Sequence, residues 1–264
     1  MSSQVIDLEG EGGVASGRAA VVWSVLSREL DRYLADVDGR SARIIDVGGG
    51  SGAFAVPLAR LGHDVTVVDP SASALASLAQ RAEEAEVEHR INALQADMDE
   101  LADVVPAESA DLVLCHSVLE SVDDPEVALE ALASVVVEGG AVSLLVANRV
   151  AMVLAKTLSG QFRAAERILH DRDGTNGSDD VMRHRYETAT LTALVGSAGL
   201  VTEQVHGVGV VDDYLPIAVS GRDADSPADL MDLERTVAAR VPFRDIASRL
   251  HLLARKPIQR RSIR

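Results

Sequence analysis

Between residues 46 and 52 the chain reads Asp-Val-Gly-Gly-Gly-Ser-Gly, and three polar residues, Asp69, Asp97 and His116, follow at the ends of later apolar runs. A strand carrying Asp46 into Gly48, Gly49, Gly50 and Gly52 offers bare backbone to a ligand, because side chains there would obstruct its approach. Asp69 stands 21 residues after Gly48, at the place where a carboxylate accepts hydrogen bonds from ribose hydroxyls. The loop alone leaves two nucleotide readings open. Gly48, Gly50 and Ala53 also satisfy the dinucleotide pattern G-x-G-x-x-G/A, which expects the same later acid. A purely structural glycine turn is the bland alternative. Asp97-Met98 adds a third strand end, where a carboxylate can accept from an adenine amino group and a neighbour can flank the ring. An ordinary helix N-cap is the competing reading of Asp97. Polar groups at three consecutive strand ends suit a nucleoside with a methionine tail. His116 follows a buried strand at its ligand-facing end, against the alternative of a satisfied core histidine.

The elements that must position these residues alternate regularly. Apolar residues at helical spacing predict a leading helix over residues 17–37, closed by Gly39. Strands follow at 43–47, 64–68, 88–94, 111–115 and 141–146, with helices at 53–61, 71–86 and 125–137 between them. Ser71 reads as an N-cap and Pro125 as a first helical residue. Glu138-Gly139-Gly140 reads as a turn before the fifth strand. Such alternation predicts an α/β, Rossmann-like, mostly parallel seven-stranded sheet with helices on both faces. After Asn148 the rhythm changes. Residues 149–169 read as one or two amphipathic helices, and 171–180 as a polar, glycine-containing loop. A helix at 188–198, a strand at 200–211, a helix at 227–240 and a last strand at 248–253 complete the pattern. The last strand returns in hairpin fashion from the sixth. Residues 1–16 read as a flexible N-terminus, 17–257 as one domain with a substrate-side insertion or lid at 149–190, and 258–264 as a basic tail.

The chain has 264 residues, is 47% hydrophobic, and carries a formal net charge of −16. The acidity is uneven. Residues 1–147 hold 8 Arg against 26 Asp and Glu, whereas 148–264 hold 17 basic and 15 acidic residues. The cofactor half is therefore acidic, which weighs against an extended nucleic-acid footprint on it. No apolar run approaches the ~18 residues of a membrane helix, so no membrane partner is expected. The first residues lack the apolar core of a secretory signal, and a cytoplasmic location is the expectation. Cys115 is the single cysteine, so no disulfide framework or multi-cysteine metal site arises.

The stretches RIIDVGGGSG, LARLGHDVTVVDPSAS, DLVLCHSVLESVDDP, VSLLVAN, SGQF, VDDYL and LHLLARKP together resemble class I S-adenosylmethionine-dependent methyltransferases, and more closely the tRNA 5-carboxymethoxyuridine methyltransferase family. The resemblance spans about residues 17–257 and implies S-adenosylmethionine as cofactor, with S-adenosylhomocysteine as product. It implies that Arg18 reaches the methionine carboxylate and that Gly48 and Gly49 make the loop contact. It also places Asp69 on the ribose, Asp97 and Met98 around the adenine, and His116 beside the sulfonium. The hairpin return of the last strand is frequent in this class. Some residues depart from the family pattern: Ser121 and Ala155 replace a tryptophan and a histidine, and DRDGTNGSDDVMRHRYE replaces a basic, proline-containing segment.

Methyl transfer from a sulfonium is an in-line displacement in which the enzyme supplies alignment and a dry, preorganised field. A carboxylate acceptor is already ionised and needs no strong base, which leaves no catalytic residue to name. Arg149, Arg183 and Arg185 are candidates to hold such a carboxylate, each against a surface-arginine alternative. The acceptor reads as a modified tRNA uridine or a small metabolite, with an NAD-binding module as a remote alternative. The C-terminal Arg255, Lys256, Arg260, Arg261 and Arg264 would supply part of a phosphate-binding patch. The sequence leaves the oligomeric state open.

Overall fold

A computed structural model describes residues 17–36, 40–178, 180–211, 213 and 226–258. The chain order is α1 (Gly17–Asp36), β1 (Arg43–Val47), α2 (Ala55–Arg60), β2 (Asp64–Val68), α3 (Ala72–Glu84), β3 (Ile91–Leu94), α4 (Leu101–Val104), β4 (Ala110–His116) and α5 (Pro125–Val135). It continues through β5 (Val136–Ala147), α6 (Arg149–Leu158), α7 (Phe162–His170), α8 (Thr188–Ser197), β6 (Val201–Val208), α9 (Pro227–Val237), α10 (Phe243–Ile246) and β7 (Arg249–Arg255). The strands form one sheet in the order β3-β2-β1-β4-β5-β7-β6. β1 to β5 are parallel; β7 lies antiparallel between β5 and β6.

Both faces of the sheet are covered. Val21, Val22, Val25, Leu26 and Leu30 of α1 pack with Leu58, Leu78, Ile44, Val67 and Leu114 on one side. Leu101, Leu129, Leu132, Leu191 and Val195 pack with Val113, Cys115, Val142 and Leu144 on the other. Alternate β4 residues thus enter opposite cores, as the period of two along a strand requires. Because Cys115 enters the α5–α8 side, His116 turns toward α1 and α2, where its ring meets Phe54.

Local chemistry sets the helix starts. Ser71 accepts a hydrogen bond from Ala74 N, and Asp124 accepts from Glu126 N and Val127 N ahead of Pro125. Asn148 caps α6 through Val150 N while its amide donates to the carbonyls of Asp245 and Ala247. It thereby ties the start of the insertion to the turn before β7.

The fifth strand departs from the expected turn at residues 138–140. β5 begins at Val136 and runs through Gly139-Gly140, with its register against β4 shifting between Ala110 and Leu112. The glycines remain in the sheet because Gly139 N donates to Lys256 O and Lys256 N donates to Gly140 O. A side chain at Gly140 would lie 2.9 Å from the carbonyl of Asp111. The pair marks a β-bulge, a feature that inserts residues without ending a strand.

Candidate cofactor-binding site

The parallel strands end at Val47, Val68, Leu94, His116 and Ala147, and the glycine loop leaves β1 at that edge. Such carboxyl ends are where open α/β sheets bind ligands. Gly48 N donates to the carbonyl of Val68 at 2.7 Å, drawing the loop toward β2. Gly48 has φ +69°, and a Cβ there would lie 2.3 Å from Val118 Cγ2. The turn after β4 therefore packs directly on the loop. Gly52 has φ +81°, and its missing Cβ makes room for Leu78 of α3. Gly49 and Gly50 lie between them and are partly exposed.

Asp46 lies beneath this loop at 2% exposure, and Oδ2 has no hydrogen-bond partner. A Cβ on Gly49 would lie 2.6 Å from that oxygen. Burial, reinforced by the charge of Asp69, pushes the Asp46 carboxyl up to about 7. A buried carboxylate with an unused acceptor matches a cationic donor such as an ammonium group. Asp69, immediately after β2, accepts from Gly50 N and Ser71 N, each at 2.9 Å. It thus clamps the loop while its oxygens retain lone pairs for a diol. These acceptors fit the ammonium and ribose of S-adenosylmethionine.

The third strand end divides between the expected roles. Asp97 is exposed and is an N-cap, accepting from Met98 N at 2.6 Å, while its own N–H donates to Glu100 at 3.0 Å. Met98 is 3% exposed and packs with Ala96, Leu101, Val105 and Leu119. Its side chain belongs to the core, so Asp97 is the exposed member of the pair. Arg18 lies in the first turn of α1, and its side chain falls outside the described residues.

His116 ends β4 with Nε2 2.9 Å from Ser143 Oγ, which is itself 2.8 Å from His251 Nε2. The His116 ring stands edge-on to Phe54, and Phe54 stacks on Trp23. Burial pushes His116 down to about 3, and the charge of Arg249 adds to that effect. The ring is therefore neutral at physiological pH. Burial likewise raises the thiol of Cys115, leaving it without thiolate character.

The three arginines that the sequence offers as candidate carboxylate holders, against a surface-arginine alternative, are each bound to protein groups. Arg149 donates to the carbonyls of Ile168, Leu169 and Asp171. Arg185 is buried and binds Asp180 through both terminal nitrogens, at 2.6 and 2.9 Å. Arg183 pairs with Asp123. Their sequence gives no hint of these partners, because loop geometry decides them. Arg249 and Glu120 at the same edge, and Ser143 and His251 behind it, escape a reading based on strand-end motifs. The only signals were Glu120, Ser143 and His251 lying inside stretches that carried the resemblance; Arg249 lies just outside them.

Cavities of about 390 and 1060 Å³ lie at the opposite, amino edge of the sheet, near Arg43 and Asp64. Their volume does not make them the reactive site. Two of the arginines there are paired, Arg43 with Asp111 and Arg255 with Glu29.

A model of the methyltransferase domain matches residues 45–144, from β1 to β5. The chain is 30% identical over 240 residues to the tRNA 5-carboxymethoxyuridine methyltransferase of Escherichia coli K12, covering 91% of this chain and 88% of that protein. It is 32% identical over 181 residues to the ubiquinone biosynthesis O-methyltransferase of Xanthomonas axonopodis pv. citri, covering 68% and 71%. Among solved structures, it resembles magnesium protoporphyrin IX methyltransferase from Synechocystis PCC 6803 with bound S-adenosylhomocysteine. The TM-score is 0.59 at 16% identity, over 94% of this chain and 90% of that one.

Proposed function

The chain belongs to the S-adenosylmethionine-dependent methyltransferases, and from that premise we propose that it methylates a carboxylate oxygen, that of 5-carboxymethoxyuridine in tRNA. The observation that carries this reading is the 30% identity spanning 91% of the chain to a protein of that activity. S-adenosylmethionine, when bound, supplies an electrophilic methyl group on a sulfonium.

The chain's residues divide the remaining work. Asp69 accepts from the ribose hydroxyls while holding the loop through Gly50. Asp97 accepts from the adenine amino group, and Gly48, Gly49, Gly50 and Gly52 keep the backbone clear of the ligand. Asp46 accepts from the methionine ammonium, and Arg18 pairs with the methionine carboxylate. His116 stands beside the sulfonium as a neutral ring. An imidazolium there would repel the cationic donor, and the burial that pushes its pKa to about 3 prevents this. The same shift makes His116 too weak a base to deprotonate a hydroxyl at neutral pH, which supports an acceptor that is already ionised.

Helices α6 and α7 follow the carboxyl end of β5 and begin the substrate-side insertion, residues 149–190, within the domain at 17–257. Residues 258–264 are assigned as a basic tail that meets phosphate. Among the described residues no helix is long and apolar enough to cross a membrane, and a tRNA acceptor places the enzyme in the cytoplasm.

A small-metabolite acceptor is the second reading. The formal charge of −16 and the likeness to a ubiquinone biosynthesis O-methyltransferase favour it. Transfer of labelled methyl from S-adenosylmethionine to bulk tRNA carrying the free carboxylate nucleoside separates the two. The tRNA reading expects a base-labile label in that nucleoside. No transfer to this tRNA by a protein that binds S-adenosylhomocysteine overturns it.

A further inference from the structure

We infer that Arg249 is the residue that receives the anionic group of the methyl acceptor, and that it selects a carboxylate over an uncharged acceptor. The inference rests on the carboxylate reading above and adds a specificity-determining residue to it. Arg249 is the first residue of β7, and it is in register with Ala147, the last residue of β5. Because β7 runs antiparallel, its start coincides with the carboxyl ends of the parallel strands. Arg249 is thereby placed at the edge where the glycine loop and His116 emerge.

Its guanidinium donates to the hydroxyl of Ser117, 132 positions away in sequence and next to His116. Ser117 has φ +61°, an uncommon conformation for a residue with a side chain. Its N–H is held by the carbonyl of Leu145 at 2.7 Å, so the hydroxyl is presented from a fixed turn. Arg249 has no carboxylate within ion-pair distance among the described residues. A guanidinium carries five N–H donors, and among the described residues the side chain of Arg249 has Ser117 Oγ as its one hydrogen-bond acceptor. Arg149, Arg183, Arg185 and Arg244 of the acceptor half are tied to backbone carbonyls or to the carboxylates of Glu187, Asp123, Asp180 and Asp245.

A second observation comes from Glu120, four residues after His116. It is 2% exposed, and neither carboxyl oxygen has a hydrogen-bond partner. The charge of Arg249 acts on both His116 and Glu120, so the guanidinium is close enough to both to be felt by each. Burial raises the Glu120 carboxyl, favouring its protonated form.

The chemistry balances with one cation at this position. One carboxylate oxygen forms the bond to the methyl carbon as the carbon–sulfur bond breaks, and that bond's electron pair stays on sulfur. A carboxylate and a sulfonium become a neutral ester and a neutral thioether, with no proton moved. Arg249 holds the second oxygen of the acceptor before transfer and loses its charge partner afterwards. The site thus binds the substrate acid more tightly than the product ester.

The test is steady-state transfer to tRNA bearing the free carboxylate nucleoside, comparing wild type with Arg249→Gln and Arg249→Lys. S-adenosylhomocysteine affinity is measured on each protein. Loss of a hydrogen bond to a charged group predicts a KM for tRNA roughly 10- to 100-fold higher in Arg249→Gln. Little change is expected in S-adenosylhomocysteine affinity, and partial recovery in Arg249→Lys. If Arg249→Gln does not fold, Arg249→Lys is read alone, with tRNA carrying the carboxamide counterpart used as a competitive inhibitor of transfer to the carboxylate tRNA, and preference taken as the inhibition constant of the carboxamide over the KM of the carboxylate. Its preference for carboxylate over carboxamide must then fall well below that of wild type. A wild type that methylates this tRNA, with a KM within twofold in Arg249→Gln or an unchanged preference in Arg249→Lys, overturns this inference alone. A wild type that transfers nothing to the tRNA overturns the proposed function and the inference together.

Discussion

Replacing Asp69 with alanine removes two things that the structure allows to be weighed separately. The carboxylate is 8% exposed and accepts from Gly50 N and Ser71 N, both at 2.9 Å. Each such bond contributes about 1 kcal/mol net, so untying both costs roughly 2 kcal/mol of stability. For a chain of this length that lowers Tm by about 4–8 °C. The proposed ribose contact is a further bond to a charged group, about 1.5–3 kcal/mol. It corresponds to a loss of about tenfold to a hundredfold in cofactor affinity. Calorimetry with S-adenosylhomocysteine and thermal unfolding of the free protein read the two quantities independently. Asp69→Asn separates them further, because its carbonyl still accepts one of the two N–H groups while the charge is gone. It should recover part of the stability and little of the affinity. An Asp69→Ala protein that melts cooperatively and binds S-adenosylhomocysteine within twofold of wild type refutes the ribose role.

Asp46→Asn should stabilise the free protein and weaken it as an enzyme. The folded-state pKa of about 7 lies above the unfolded value near 3.8, so the unfolded state holds fewer protons between these limits. Stability contributed by this group therefore falls as pH rises from about 4 to 7, by up to roughly 4 kcal/mol. Melting curves at pH 8 should show a higher Tm for Asp46→Asn, with the gap closing toward pH 4; a lower Tm at pH 8 contradicts the buried-charge account. Asp180→Ala breaks a pair whose side chains are 5% and 8% exposed. It should cost about 3 kcal/mol by leaving the Arg185 cation buried without its partner. Urea unfolding checks this, and a change below 1 kcal/mol would show that Arg185 is free to serve a substrate.

Much of the scaffold was legible from the residues in order. Strands at 43–47 and 64–68 have the expected bounds because short apolar runs there end at an aspartate or glycine turn. Ser71 and Pro125 marked helix starts through chemistry that acts within one turn. The start of β5 is not legible locally, because two glycines signal a turn, whereas hydrogen bonds to Lys256, more than a hundred residues later, keep them in the sheet.

The site divides along the same line. Local sequence determined where the backbone opens, and where Asp46, Asp69, Asp97 and His116 stand relative to the strand ends. Tertiary structure decided what each side chain has left to offer. It buried Met98, spent Arg149, Arg183 and Arg185 on their own loops, left one oxygen of Asp46 unpartnered, and set Arg249 beside Ser117. The physical reason is that strand periodicity dictates which face a residue meets. Its partner there is chosen by register and connection, and those belong to the whole sheet.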